Sequence, residues 1–219
     1  HKIAGLEHLR KPGPDLTNLA QKTTEDWTRK WVMAPKAFRP TTRMPHFFNQ
    51  SNTGGVPGKQ IAAGLVEVRD DGKAWDNAGD RWVPDWRARN EVEARAIVAY
   101  VFERSRQGLQ ASGYQPARPP SVTGDPAAGK QLFAERGCLG CHSLEREDLV
   151  QSRHGPDLSA VGSKVNAAWL YDWIRNPTAY WPETVMPDLR LTDAEAWNIT
   201  SYLLAGRDAA WEARPQPRA

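Results

Sequence analysis

The chain repeats itself. Asp15 to Pro45 aligns without a gap on Asp157 to Pro187, with identical pairs at Asp15/Asp157, Leu16/Leu158, Lys22/Lys164, Trp27/Trp169, Trp31/Trp173, Pro35/Pro177, Pro40/Pro182, Thr42/Thr184, Met44/Met186 and Pro45/Pro187. Just upstream, Gly13-Pro14 matches Gly155-Pro156. A stretch copied inside one chain specifies the same local structure twice. The 219 residues therefore read as two tandem copies of one small domain, which suits the length.

Both copies carry helical spacing. Thr24 to Met33 reads as a short helix with Trp27 and Trp31 on one face, and Pro35 ends it. Trp169 to Arg175 repeats it, and Lys36 to Met44 reads as a loop. Each copy closes with an amphipathic helix: Val92 to Arg104 behind a capping box at Asn90-Glu91-Val92-Glu93, and a partner from Thr192-Asp193-Ala194-Glu195 to Leu204. Ala94/Ala196, Ile97/Ile199 and Tyr100/Tyr202 match between them. Asp125-Pro126 opens a further helix as N-cap and first helical residue, running to about Arg136, where Gly137 stops it. The expected class is all-α, with an N-terminal domain over 1–104, a linker over 105–124, a C-terminal domain over 125–206 and a partly disordered tail over 207–219. The first copy holds an insertion within 46–90, where Leu65 to Arg69, Asp70-Asp71-Gly72 and Lys73 to Trp75 suggest a small hairpin.

The chain has two cysteines, both in Gly137-Cys138-Leu139-Gly140-Cys141-His142. Cys-x-x-Cys-His is the attachment pattern for a c-type haem. Each thiol can add across one haem vinyl group to form a thioether, and the next residue then lies under the ring, where the His142 imidazole reaches the iron. Other readings exist. A redox Cys-x-x-Cys would want a βαβ setting, and a zinc site would want a second ligand pair at short spacing. Neither accompanies the motif, and a plain disulfide leaves His142 unexplained.

A low-spin haem needs a second axial ligand. Met186 follows His142 by 44 residues in a proline-flanked loop, and Met44 has the same setting in the first copy. A thioether is a soft ligand that favours ferrous iron. Met33, the remaining methionine, falls in a helix pattern and reads as core. His1 precedes Asp15 by fourteen positions and His142 precedes Asp157 by fifteen, so His1 stands, with one residue inserted, where the first copy's ligand belongs. Its cysteine pair is then expected just upstream of residue 1. A processing remnant, or a first domain without haem, are the competing readings of His1. His154 aligns with Pro12 and His46 with Asp188, which disfavours both as ligands, and His8 has no motif around it.

These residues resemble a class I cytochrome c. The resemblance rests on Cys138-Leu139-Gly140-Cys141-His142, Gly155-Pro156-Asp157-Leu158, Trp169 to Trp173, Asn176-Pro177 and Met186-Pro187, and covers nearly all of 124–206. The first half resembles the same family from His1 onward, without the cysteines and with the insertion. Together they look like a di-haem cytochrome c. The resemblance implies α-helices wrapped around each of two haem c groups, with iron held by His142 and Met186, and by His1 and Met44. It implies that the carbonyls of Pro156 and Pro14 accept hydrogen bonds from the ligand histidines. It places Tyr180 and Trp181 beside the second haem, as Phe38 and Arg39 beside the first.

Electron transfer between redox partner proteins is the expected function, as a carrier or as a subunit of a membrane-bound respiratory complex. A di-haem peroxidase-type enzyme, another oxidoreductase subunit and a haem-based gas sensor are the alternatives. Covalent haem attachment implies the periplasm or an extracytoplasmic membrane face. No apolar run is long enough to cross a bilayer and no signal peptide is seen, so an export signal or anchor is expected to have been removed or to lie outside the sequence. A net charge of +3 does not suggest nucleic acid. Residues 1–117 carry 18 Lys and Arg against 13 Asp and Glu, while 118–219 carry 11 against 13. That division could steer a charged partner to one half, and ordinary solvated charge explains it equally well. Ten tryptophans and seventeen prolines suit small domains packed around a flat cofactor in place of a deep aliphatic core.

Overall fold

The computed structural model describes residues 1, 13–48, 73–76, 81–84, 86–115, 117–150 and 154–214. In chain order the helices are α1 (Leu19–Lys22), α2 (Glu25–Met33), α3 (Pro35–Phe38), α4 (Trp86–Ser112), α5 (Pro126–Glu135), α6 (Ala167–Arg175), α7 (Pro177–Tyr180), α8 (Asp193–Leu204) and α9 (Ala209–Glu212). Strands β1 (Lys73–Asp76) and β2 (Arg81–Pro84) pair antiparallel, with Lys73 opposite Pro84 and Asp76 opposite Arg81. The fold is mostly helical. Strand β1 pairs with the chain after it, while Leu65 to Arg69, named in the expected hairpin, lies outside the described residues together with most of the insertion.

The chain forms two compact units: His1–Thr24 with Ser105–Ala209, and Glu25–Arg104 with Ala210–Ala219. In the first unit, α5 and α8 cross closely. A Cβ on Gly129 would run into the Asn198 carbonyl, so only glycine lets the two backbones meet there. Around this crossing Phe133, Leu139, Leu144, Trp169, Leu170, Tyr171, Ile174, Ala196, Ile199, Tyr202 and Leu203 form one buried cluster. Asp125 caps α5 by accepting N–H bonds from Ala127 and Ala128, and Pro126 fills the first helical position. Gly137, left-handed at φ 76°, ends the helix two residues on. Thr192 and Glu195 close a reciprocal capping box at the start of α8.

The N-terminal segment belongs to this same unit. The Asn166 N–H donates to the Lys22 carbonyl at 2.9 Å, its side-chain amide donates to the Gln21 carbonyl at 2.9 Å, and the Thr23 hydroxyl donates to the Lys164 carbonyl at 2.6 Å.

In the second unit, Trp27 and Trp31 of α2 stack at 5.2 Å with planes 15° apart, and Phe38 of α3 stands edge-on to both. Glu91 is buried and ion-paired to Arg29. Ala94, Val98, Val101 and Phe102 form the buried stripe of α4.

Four local expectations are corrected. α4 begins at Trp86 and runs to Ser112, so Asn90 is a helix-interior residue and no capping box forms there. Ser105 to Ser112 is helix and not linker, because the first residue that breaks the pattern is Gly113, left-handed at φ 66°. Lys36 to Phe38 is helical, since Pro35 both ends α2 and supplies a first helical residue for α3. Residues 207–214 of the tail are structured, with α9 burying Trp211 against Trp27 and Phe38 at 6.1 and 4.9 Å. The closing helices also differ between copies. Ile199 and Tyr202 are buried under α5, whereas Ile97 and Tyr100 are 44% and 48% exposed. Among the described residues no helix covers α4 as α5 covers α8.

Candidate haem site

Cys138–Gly140 forms one 3-10 turn immediately after α5. The Cys138 carbonyl accepts N–H bonds from Cys141 at 3.2 Å and His142 at 2.9 Å, which folds the cysteine pair and the histidine into one tight loop. Both thiols are free. Cys141 is exposed, and burial pushes the Cys138 thiol up to about 11, so it is neutral at pH 7. That weakens the redox-dithiol reading, which needs a depressed thiol. Among the described residues no three His, Cys, Asp or Glu side chains converge as a metal cluster, so a zinc site of the all-protein kind lacks its ligands.

His142 is held from one side. Its Nδ1 donates to the Pro156 carbonyl at 2.9 Å. A carbonyl only accepts, so the proton sits on Nδ1 and the lone pair on Nε2, the tautomer that binds a metal. A Cβ on Gly155 would lie 2.6 Å from the imidazole, so the ring and the backbone touch. Asp157 fixes this loop: its carboxylate accepts bonds from the Ser143 hydroxyl, the Glu145 and Ser159 N–H groups and the Ser159 hydroxyl.

Met186 is half-buried in the loop that follows α7. Its N–H donates to Thr184 Oγ1 at 3.2 Å, and its Sδ accepts the Trp173 indole N–H at 3.0 Å. A thioether sulfur has a second lone pair left to offer. Trp173 stacks on Trp169 at 5.5 Å, 18° between planes, and Tyr180 stands edge-on to both at 5.9 and 5.5 Å. Tyr180 is therefore part of the aromatic wall, and burial raises its phenol well above the usual range. Trp181 is 47% exposed and, among the described residues, makes no ring contact with that wall.

The first copy reproduces part of these contacts. His1 Nδ1 donates to the Pro14 carbonyl at 2.9 Å, and a Cβ on Gly13 would lie 2.7 Å from the His1 ring. The Met44 N–H donates to Thr42 Oγ1 at 3.2 Å. His1 belongs to one compact unit and Met44 to the other. Among the described residues Trp31 makes no hydrogen bond to Met44 like that of Trp173 to Met186. His46 and His154 are exposed, Met33 is half-buried, and His8 lies outside the described residues.

The donor set suits haem c: two unpaired thiols, an imidazole with a free Nε2 and a thioether. A further sign is a group of covered polar atoms without partners. Asn18 Oδ1 and both amide atoms of Gln21 make no hydrogen bond. Sequence reasoning missed Asn18, Gln21 and the Trp173 bond. Only the identity of Trp31 and Trp173 hinted at the last.

Residues 126–206 match the family model described as Cytochrome c, a match that implies haem c binding. The chain is also 28% identical over 87 residues to "Cytochrome c oxidase subunit 2" of Bacillus subtilis (strain 168), an alignment covering 34% of this chain. It spans about a quarter of that relative, 24% of its length. No helix among the described residues is long and apolar enough to cross a membrane.

Proposed function

We propose that the chain transfers single electrons through haem c, with one group joined to Cys138 and Cys141 and its iron held by His142 and Met186. The observation that carries this reading is the His142 ring, fixed by the Pro156 carbonyl with Nε2 free, one residue beyond two unpaired thiols. Bound there, the haem supplies a one-electron couple at iron.

The chain's own residues do the rest. His142 presents a fixed, basic nitrogen. Met186 presents a soft sulfur that favours the reduced state and so raises the potential. The wall of Trp169, Trp173 and Tyr180 keeps the methionine side in apolar surroundings. With His142 and Met186 both holding the iron, no coordination site would be left for a substrate, which favours a carrier over a peroxidase or a gas sensor.

A second haem with His1 and Met44 as ligands, and with it two tandem cytochrome c-like domains, is proposed on the sequence repeat and on its matched contacts. Its partners are other redox proteins. A respiratory complex on an extracytoplasmic membrane face is the setting proposed, supported by the likeness to an oxidase subunit. Haem per chain by pyridine haemochrome, with the intact mass, tests both parts. No haem on Cys138 and Cys141 sinks the whole reading, one haem sinks the second site, and two support both. A charge-transfer band at the red edge of the oxidised spectrum would support Met186 as ligand. Carbon monoxide binding to the untreated reduced protein, or rapid peroxide turnover, would favour the alternatives.

A further inference from the structure

We propose that Lys22 and Gln21 of α1 form a carboxylate-binding site that takes a propionate side chain of the haem c attached at Cys138 and Cys141. This rests on the reading above.

α1 is a single helical turn, too short to persist by itself in water. It is held in the first compact unit by the bonds from Asn166 to the Gln21 and Lys22 carbonyls. A third tie lies at its start, where the Tyr180 hydroxyl donates to the Asn18 carbonyl at 2.8 Å. These ties seat the turn on the aromatic wall. The Lys22 ammonium stands 4.5 Å from the Trp169 ring centroid, Trp169 stacks on Trp173, and Trp173 holds the Met186 sulfur. Lys22 thus sits at the far rim of the rings that anchor the proposed ligand.

The side chains at this rim lack what their chemistry requires. Lys22 forms no ion pair among the described residues, and burial alone lowers it to about 8. A ring face attracts an ammonium but takes no hydrogen bond of ordinary strength from it. Both amide atoms of Gln21 are covered and partnerless. Lys22 is half-buried, whereas the Gln21 amide beside it is covered. Covered polar groups are almost always satisfied, so a partnerless amide donor next to an ammonium points to an anion. A carboxylate matches: one oxygen for the ammonium, one for Gln21 Nε2. The ammonium has three donors, which leaves N–H for the amide oxygens of Gln21 and Asn18. A haem carries two such carboxylates on its edge. A free anion offers the same chemistry from solution, so the test separates the two sources.

The test uses the haem-loaded protein as wild type, Lys22→Met and Lys22→Arg, with the propionate carboxyls isotopically labelled for infrared difference spectroscopy. Haem per chain and the red-edge band are recorded first. Their loss in the wild type would sink the haem reading, and this inference with it. If both persist, Lys22→Met is expected to lower the reduction potential. Removing a poorly screened unit charge near a redox centre is worth on the order of tenfold in the one-electron equilibrium, about 59 mV. The labelled carboxylate band should shift with it, and Lys22→Arg should restore most of both. An unchanged potential and an unchanged labelled band in Lys22→Met would overturn the proposal. So would a shift of potential seen only when phosphate or chloride is added, which would put a free anion at Lys22.

Discussion

The indole N–H of Trp173 points at the sulfur of Met186, 3.0 Å away. Hydrogen bonding to a sulfur that also binds iron draws electron density from the metal and favours the reduced state. Trp173→Phe keeps a ring to stack on Trp169 and removes the donor. A bond worth about 1 kcal/mol corresponds to roughly fivefold in the redox equilibrium, so the potential should fall by that factor in a spectroelectrochemical titration. An unaltered potential would mean that the bond is not made in the loaded protein.

Gly155 touches the His142 ring, and a methyl group there would lie 2.6 Å from the imidazole. Gly155→Ala should destabilise the haem-loaded protein by about 1–3 kcal/mol in denaturant unfolding, the usual cost of overpacking. Gly140→Ala is the control, because nothing lies within 4 Å of its Cβ position. Gly13→Ala should behave like Gly155→Ala if His1 is held for the same purpose. Behaviour like Gly140→Ala would argue against a role for His1.

The α8 cap makes stability depend on acid. The N–H and hydroxyl of Thr192, then Arg136, hold the Glu195 carboxyl at about 2 against 4.5 for the free group. A carboxyl depressed by folding adds stability above its unfolded pKa and loses it as pH falls through the folded one. The loss should therefore run from about pH 4.5 down to about 2. Glu195→Gln should flatten the unfolding curve across that window. Thr192→Ala should cost about 1 kcal/mol at neutral pH, since it deletes the cap itself.

Trp211 is 2% exposed and packs on Trp27 and Phe38. Trp211→Ala should cost about 3–5 kcal/mol, the range for deleting a buried aromatic. Thermal unfolding measures it, and a shift near zero would mean that the tail is loose in solution.

Much of this was legible from spacing alone. Asp125-Pro126, Gly137 and the Thr192 box are local signals, each set by backbone chemistry within a few residues, and they place α5 and α8 closely. The resemblance to class I cytochromes c went further and implied the paired contacts at His142 and His1, which the repeat makes alike because matching neighbours build matching loops. What failed depended on distant partners. Asn90 looks like a cap until the helix is seen to start at Trp86. The tail looks disordered until Trp211 meets Trp27 and Phe38. No pattern within the segment Asn18 to Lys22 tells that Tyr180, Trp169 and Asn166 will close around it.

That closure limits how the molecule can be dissected. The proline-rich stretch around Pro119-Pro120 invites a cut, yet a fragment starting there leaves behind the short turn that accepts the Tyr180 hydroxyl and roofs Trp169. The excised piece would keep His142 and Met186, the residues proposed to hold its own iron, and still expose the Trp169 end of its aromatic wall to solvent. Properties measured on it would then describe a half-unroofed protein, and a low potential in such a fragment would say little about the intact chain.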